Sequence, residues 1–351
     1  MRSMIWTGCA WLMAAVAAVV SAPGGRAEDA FSCCEIPCRL LDPLGQDPVW
    51  TGRTDALLLW RDAPQSAPLF DAIDPETLDP AGVALNAADF QSGMAAGPRF
   101  ALFRHTGDMG AVEFNFLRVQ SFRASQSLPA VEDGLGYYDT TPHGLYCCDT
   151  VYPRAGATGL LTSSLQSAEV NRRFPTDGRL GWLMGFRWVE WNDALGLASL
   201  TTYDLETPYT NSYLTQTRND LYGMQVGADS ILYGLGRSIR VEGIGKAGIF
   251  YNDARQSSRF LTGETGESLA VSTAVGRAAF VGELGVTGVY DVTERISIRA
   301  GYAIFWLGGL ALAPAQYKVN DLCPNNPIRG ATDTAGSVVV QGLSLGLEGR
   351  W

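Results

Sequence analysis

The feature that most constrains this chain is a period-two alternation of apolar and polar residues that recurs from one end to the other. It is clear over about ten segments, near 50–60, 97–105, 111–122, 164–174, 180–191, 219–233, 238–253, 276–291, 294–307 and 337–351. In GRLGWLMGFRWVEW, Leu180, Trp182, Met184, Phe186 and Trp188 share a parity opposite Gly181, Gly185 and Arg187. In the final run, Val339, Leu343, Leu345, Leu347 and Trp351 oppose Gly342, Ser344, Gly346, Glu348 and Arg350. Period two places successive side chains on opposite faces of a strand. Each segment is near the roughly 9–11 residues that a tilted membrane strand needs.

The connections carry a second pattern. Short turns rich in Gly and Asp (HTGDMG, PTDG, GLGR and DVTER) alternate with long stretches near 61–96, 123–163, 192–218, 254–275 and 308–336. Alternating short and long connections are the topology of an antiparallel up-and-down transmembrane β-barrel, with short periplasmic turns and long extracellular loops. The expected fold is therefore all-β with about ten strands, between roughly 8 and 12. ASLTTYDL and NSYLTQT, within 192–218, read as hairpin extensions beyond the membrane.

The beginning of the chain fits export. Arg2 precedes an apolar stretch from Cys9 to Val20, and small residues lead to Ala27. This reads as a signal peptide over residues 1–27, followed by a cysteine-containing periplasmic segment over 28–49 and the barrel over 50–351. Without residues 1–27 the chain keeps 24 of its 26 basic residues and all 36 acidic ones, a net charge of -12. That balance argues against nucleic acid as a partner. The remaining cysteines, Cys33, Cys34, Cys38, Cys147, Cys148 and Cys323, are disulfide candidates in an exported protein, with 15 possible pairings. By the expected topology the first three lie in the periplasm and the last three in outer loops, so bonds would form within each set. Neither the cysteines nor His105 and His143 show a metal-ligand spacing.

A soluble barrel or sandwich would alternate in the same way, but two features favour the membrane. Trp60, Trp182, Trp188, Tyr251, Tyr290, Tyr302, Trp306 and Trp351 fall on the apolar parity near strand ends, as in an aromatic girdle. The opposite parity mixes glycine with charges of both signs: Asp55, Arg99, Glu113, Glu169, Arg187, Asp229, Arg240, Glu242, Lys246, Glu283, Arg299, Glu348 and Arg350. In a barrel these turn inward and line the lumen. In hydrocarbon an open sheet edge would leave backbone groups unpaired, so the last strand must close on the first. Trp351 then sits at the periplasmic interface, and its terminal position resembles the signal that outer-membrane proteins present to the barrel assembly machinery.

The stretches NDLYGMQVGAD (Asn219–Asp229), GKAGIFYNDA (Gly245–Ala254) and LGLEGRW (Leu345–Trp351) resemble the second half of the outer-membrane β-barrel porin family of planctomycete-type bacteria. The early FSCCEIPC is compatible with that group. The resemblance implies an outer-membrane barrel and supplies no substrate or functional residue. Two motifs are read as decoys. GIGKAG (Gly243, Gly245, Gly248) matches a dinucleotide fingerprint but lies within an alternating run, with no helix to follow. GLSLG (Gly342, Ser344, Gly346) matches a serine nucleophile elbow, yet both histidines precede it.

The reading that follows is an outer-membrane barrel acting as a porin-like or structural surface protein with a narrow, charge-lined lumen. An alternative is a surface binding or adhesion module that uses disulfide-tied outer loops on the barrel as a mount. A third, an outer-membrane enzyme, is the weakest with two histidines available, so the expectation is a non-enzyme without cofactor or metal. Expected partners are outer-membrane lipid, the assembly machinery through the C-terminal strand, and small solutes or ions.

Overall fold

The computed structural model describes residues 49–132, 135–139, 154–174, 180–202, 207–236, 238–320, 322 and 328–351. These belong to one compact unit. The proposed signal peptide, His143 and all six disulfide candidates lie outside the described residues. In chain order the elements are β1 (Trp50–Arg61), β2 (Pro68–Ile73), β3 (Pro80–Asn86), β4 (Ala95–His105), β5 (Ala111–Leu128), β6 (Tyr137–Asp139) and β7 (Gly156–Phe174). There follow β8 (Leu180–Thr201), β9 (Tyr209–Leu235), β10 (Ile239–Leu261), β11 (Ser268–Asp291), β12 (Ile296–Leu310), a short helix α1 (Ala313–Val319) and β13 (Gly336–Arg350). No described helix is long and apolar enough to cross a membrane.

Ten of the strands form a closed antiparallel barrel in the order β1-β13-β12-β11-β10-β9-β8-β7-β5-β4, with β4 returning to β1. Its exterior is apolar over a continuous band: Phe114, Phe186, Met224, Ile249 and Leu345 are all exposed. Water would make that band unstable, and hydrocarbon satisfies it. The chain folds as an antiparallel up-and-down transmembrane β-barrel. The two decoy motifs lie inside unbroken stretches of β10 and β13.

Closure is held at the seam between β1 and β13. Trp50 N donates to Trp351 O at 2.8 Å, and Trp351 N donates back to Trp50 O at 3.0 Å. The Trp351 ring covers Gly52, where a β-carbon would lie 3.0 Å from it. At Gly346 the strands approach so closely that a β-carbon would overlap the Thr54 carbonyl and the Asp55 carboxylate. Gly346→Val is therefore expected to weaken closure by about 1–3 kcal/mol. The check is the heat needed to convert the fast-migrating folded band to the unfolded one in gel electrophoresis.

The strands run further than the alternation suggested. β9 starts at Tyr209 and β10 ends at Leu261, so much of the long connections is barrel wall. Above the lipid-facing band the outward residues become polar (Asp253, Arg255, Ser257), while inward ones remain small and polar (Asn252, Gln256, Ser258). The contrast between faces disappears, and the periodic signal with it. β5 hides a second feature. Ser121 adopts φ 68, and the register slips between Val119 and Phe122. This bulge adds one residue and reverses parity: Leu117 and Val119 are buried below it, Phe122 and Ala124 above it.

The connections β1–β4 and β5–β7 supply a small sheet of order β3-β2-β6. Leu69, Phe70, Leu85 and Phe90 from the first connection pack in one apolar cluster with Leu195 and Leu197 of the wall and Tyr317 of α1. Arg154 is tied to Asp139 of β6 at 2.7 Å. Burial works against the Arg154 charge, yet the Asp139 carboxylate and Tyr209 together outweigh it and raise its pKa above the usual arginine value.

Candidate functional site

The inward parity brings most of the charged residues marked in the sequence into two clusters. Nearer the short-turn end, Glu348 accepts from four guanidinium groups: Arg53 at 2.7 Å, Arg299 at 2.7 Å, Arg350 at 2.8 Å and Arg240 at 3.0 Å. Glu242 pairs with Arg240 at 2.7 Å and Arg299 at 3.2 Å, and Asp291 with Arg240 at 2.8 Å and Arg350 at 3.0 Å. In the second cluster Glu283 bridges Arg99 and Arg187, each at 2.8 Å. Glu169 takes Lys246, with Asn115 at 3.0 Å and Gln225 at 2.6 Å filling its other sites. Arg173 joins Glu113 at 2.9 Å to Asp229 at 2.6 Å. Asp55 lies half-buried opposite Arg99 and Gly346. Counting Asp55, the two clusters hold eight side chains of each sign.

Sequence reading passed over Arg53, Arg173 and Asp291, although each shares parity with a marked neighbour on its own strand. It also missed what lies above them. The next layer of the interior is apolar: Leu57, Leu59, Leu165, Trp191, Leu221 and Phe305 are each at most 2 % exposed. Trp191 stacks on Phe122 with ring centroids 6.1 Å apart. Each such side chain contributes roughly 1.5–3 kcal/mol on burial.

Within this layer is a buried ion pair that sequence did not mark. Arg61 Nη1 donates to Asp193 Oδ1 at 2.7 Å, and both side chains are at most 1 % exposed. Ser163 donates to the same oxygen at 2.7 Å. Asp193 Oδ2 accepts the Ala313 amide at 3.1 Å, which fixes the start of α1 inside the barrel. Arg61 Nε and Nη2 are buried without a hydrogen-bond partner, with the guanidinium 5.3 Å from the Trp191 ring centroid. Asn219 and Asn252 hold the approach to α1 through Ala311 and Gly309, and Asn320 closes it against Gln256 and Ser258.

The marked aromatic residues all face outward. Trp182, Tyr251, Tyr290, Trp306 and Trp351 are exposed, while Trp60, Trp188 and Tyr302 are half-buried. Trp60 meets Tyr302 edge to face at 6.1 Å, and Trp306 lies 5.0 Å from Phe280. His105, at the end of β4, bonds Thr51 Oγ1 at 2.9 Å. No group of three or more metal-ligating side chains occurs among the described residues.

The strand register arranges the outward residues of β7–β10 in rows. Ala168, Trp188, Tyr222 and Tyr251 form one. The next toward the long loops is Gln166, Glu190, Asp220 and Asp253, and the one beyond is Ser164, Asn192, Arg218 and Arg255. The exterior thus changes from aromatic to charged in one register step. Beyond it the wall is concave, with a groove of about 910 Å³ between β5 and β11.

No family model and no curated protein matches the sequence, so the resemblance to the planctomycete-type family gains no support beyond the outer-membrane barrel itself. Similar solved structures are outer-membrane barrels. The outer membrane protease OmpT from Escherichia coli is 10% identical with a TM-score of 0.47, covering 86% of this chain and 96% of its own. The Ralstonia pickettii toluene transporter TbuX is 9% identical with a TM-score of 0.21, covering 88% and 90%. LpxR from Salmonella typhimurium is 9% identical with a TM-score of 0.23, covering 86% and 100%. These likenesses correct the expectation that the chain is not an enzyme, because a protease stands among the barrels it is similar to. That expectation rested on the scarcity of histidine, and carboxylates also serve as general acids and bases.

Proposed function

We propose that this chain is a sealed surface barrel whose work is done on its outward and long-loop faces, and that it is not a diffusion pore. The observation that carries this reading is the interior: balanced ion pairs, then an apolar layer around Trp191, then α1 under a packed cap. A barrel of this size has room for side chains or one small ligand, and here side chains occupy it. Balanced charge also gives the interior little pull on an ion of either sign. The marked charges are read as the lining of this closed interior, and the outward aromatics as its girdle. The finer alternative, a binding module on a barrel mount, is favoured by the small sheet β3-β2-β6, which turns the first two long connections into a built surface at the barrel mouth.

The test is electrical. The purified, folded chain added to a planar lipid bilayer is expected to give no discrete conductance steps above the bare membrane. Reproducible steps would overturn the sealed reading.

A further inference from the structure

The concave exterior above the aromatic row is rich in hydroxyl and amide side chains. Small residues, Ser164, Ala194, Ser257, Ser272 and Ala274, lie on β7, β8, β10 and β11, with Gln216 and Arg218 of β9 between them. Gln120 of β5 stands at one edge. Ser121, set at φ 68 by the bulge in β5, forms part of one wall.

Location narrows the occupant. Outward rows are about 7 Å apart along a strand, so the groove begins two rows from Trp188, Tyr222 and Tyr251. Below that row the wall is apolar, with Phe186, Met224 and Ile249 exposed. Short turns of such barrels face the periplasm, which puts the groove just outside the outer leaflet. A lipid whose chains lie against Phe186 and Met224 has its headgroup beside the groove.

Charge narrows it further. The groove holds two exposed cations, Arg218 and Arg255, and neither is available as an unmatched charge. Arg218 donates to Glu190 at 2.7 Å and to Asp220 at 2.8 Å, and Arg255 to Asp253 at 2.6 Å. Arg118, exposed opposite Gln166 in the same row as the carboxylates, makes three guanidiniums against three carboxylates, so the patch offers a phosphate no net attraction. The remaining lining is hydroxyl and amide, which donates and accepts at once, and this matches a polyol. We propose that the groove holds the uncharged sugar headgroup of an outer-leaflet glycolipid, which lies against the wall with its tails on the apolar band beneath.

The test uses the full chain, folded and reconstituted in phosphatidylcholine vesicles doped with digalactosyl diacylglycerol or with phosphatidylglycerol. After detergent extraction, native mass spectrometry reads which lipid stays bound. The glycolipid is expected to be retained in preference to both phospholipids. Ala194→Trp and Ser257→Trp fill the groove from its aqueous side and are expected to reduce retention about tenfold, with folding verified by heat-modifiable migration. Preferential retention of phosphatidylglycerol, glycolipid retention no better than phosphatidylcholine, or full retention in folded tryptophan variants would each overturn the proposal. The first two comparisons need only the unaltered chain. None depends on whether the interior is sealed.

Discussion

Asp193→Ala is expected to destabilise the barrel by about 3–5 kcal/mol, the scale for removing one partner of a buried ion pair. The pair is unusually isolated. Arg61 already leaves two of its nitrogens without a partner, so the carboxylate is its main compensation inside an apolar layer. Losing Asp193 strands the guanidinium, frees the Ser163 hydroxyl and releases the first amide of α1. The matching expectation is that Arg61→Met with Asp193→Leu recovers most of the loss, because a buried pair replaced by apolar groups of similar volume is often neutral or stabilising. Urea unfolding in detergent micelles, followed by Trp fluorescence, checks both. If Asp193→Ala unfolds with the unaltered chain, the pair does not hold the interior together.

Val226→Arg is expected to cost roughly 2–4 kcal/mol, whereas Gln216→Arg on the same strand and face costs close to nothing, since the penalty of a lipid-facing cation depends on depth. Val226 is 63 % exposed and pairs with Met184, midway along the lipid-facing run of β8. Gln216 lies three rows beyond Tyr222, in the polar groove. The paired substitution separates a hydrocarbon boundary from a general sensitivity of the strand. The measurement is the folded fraction after refolding into phosphatidylcholine vesicles over a urea series. Equal losses at both positions would mean that the apolar band does not meet lipid.

How much of this was legible in the sequence can be argued strand by strand. Each of the ten barrel strands covers an alternating segment, because one face against lipid and the other inward leaves a strong period-two contrast. The ends of β7, β9, β10 and β11 were hidden where that contrast fades above the membrane. The apolar interior was signalled in another way. ALLLW in β1, AIFWL in β12 and VVV in β13 are unbroken apolar runs, the mark of strands with apolar contacts on both faces. Leu57 and Leu59, Phe305 and Leu307, and Val338 and Val340 are the inward members of those runs. Read as alternation alone, they passed for lipid-facing positions with exceptions.

The sequence by itself determined the barrel, a strand number near ten and the inward parity of many charges, because parity along a strand is a local property that two neighbours suffice to state. Only the tertiary structure decided which charges meet, that Arg61 and Asp193 close on each other 132 residues apart in the chain, that α1 occupies the interior, and that rows from adjacent strands make a polar hollow above an aromatic line. Those depend on register between strands, and register is fixed by closure of the whole sheet and by a bulge of one residue.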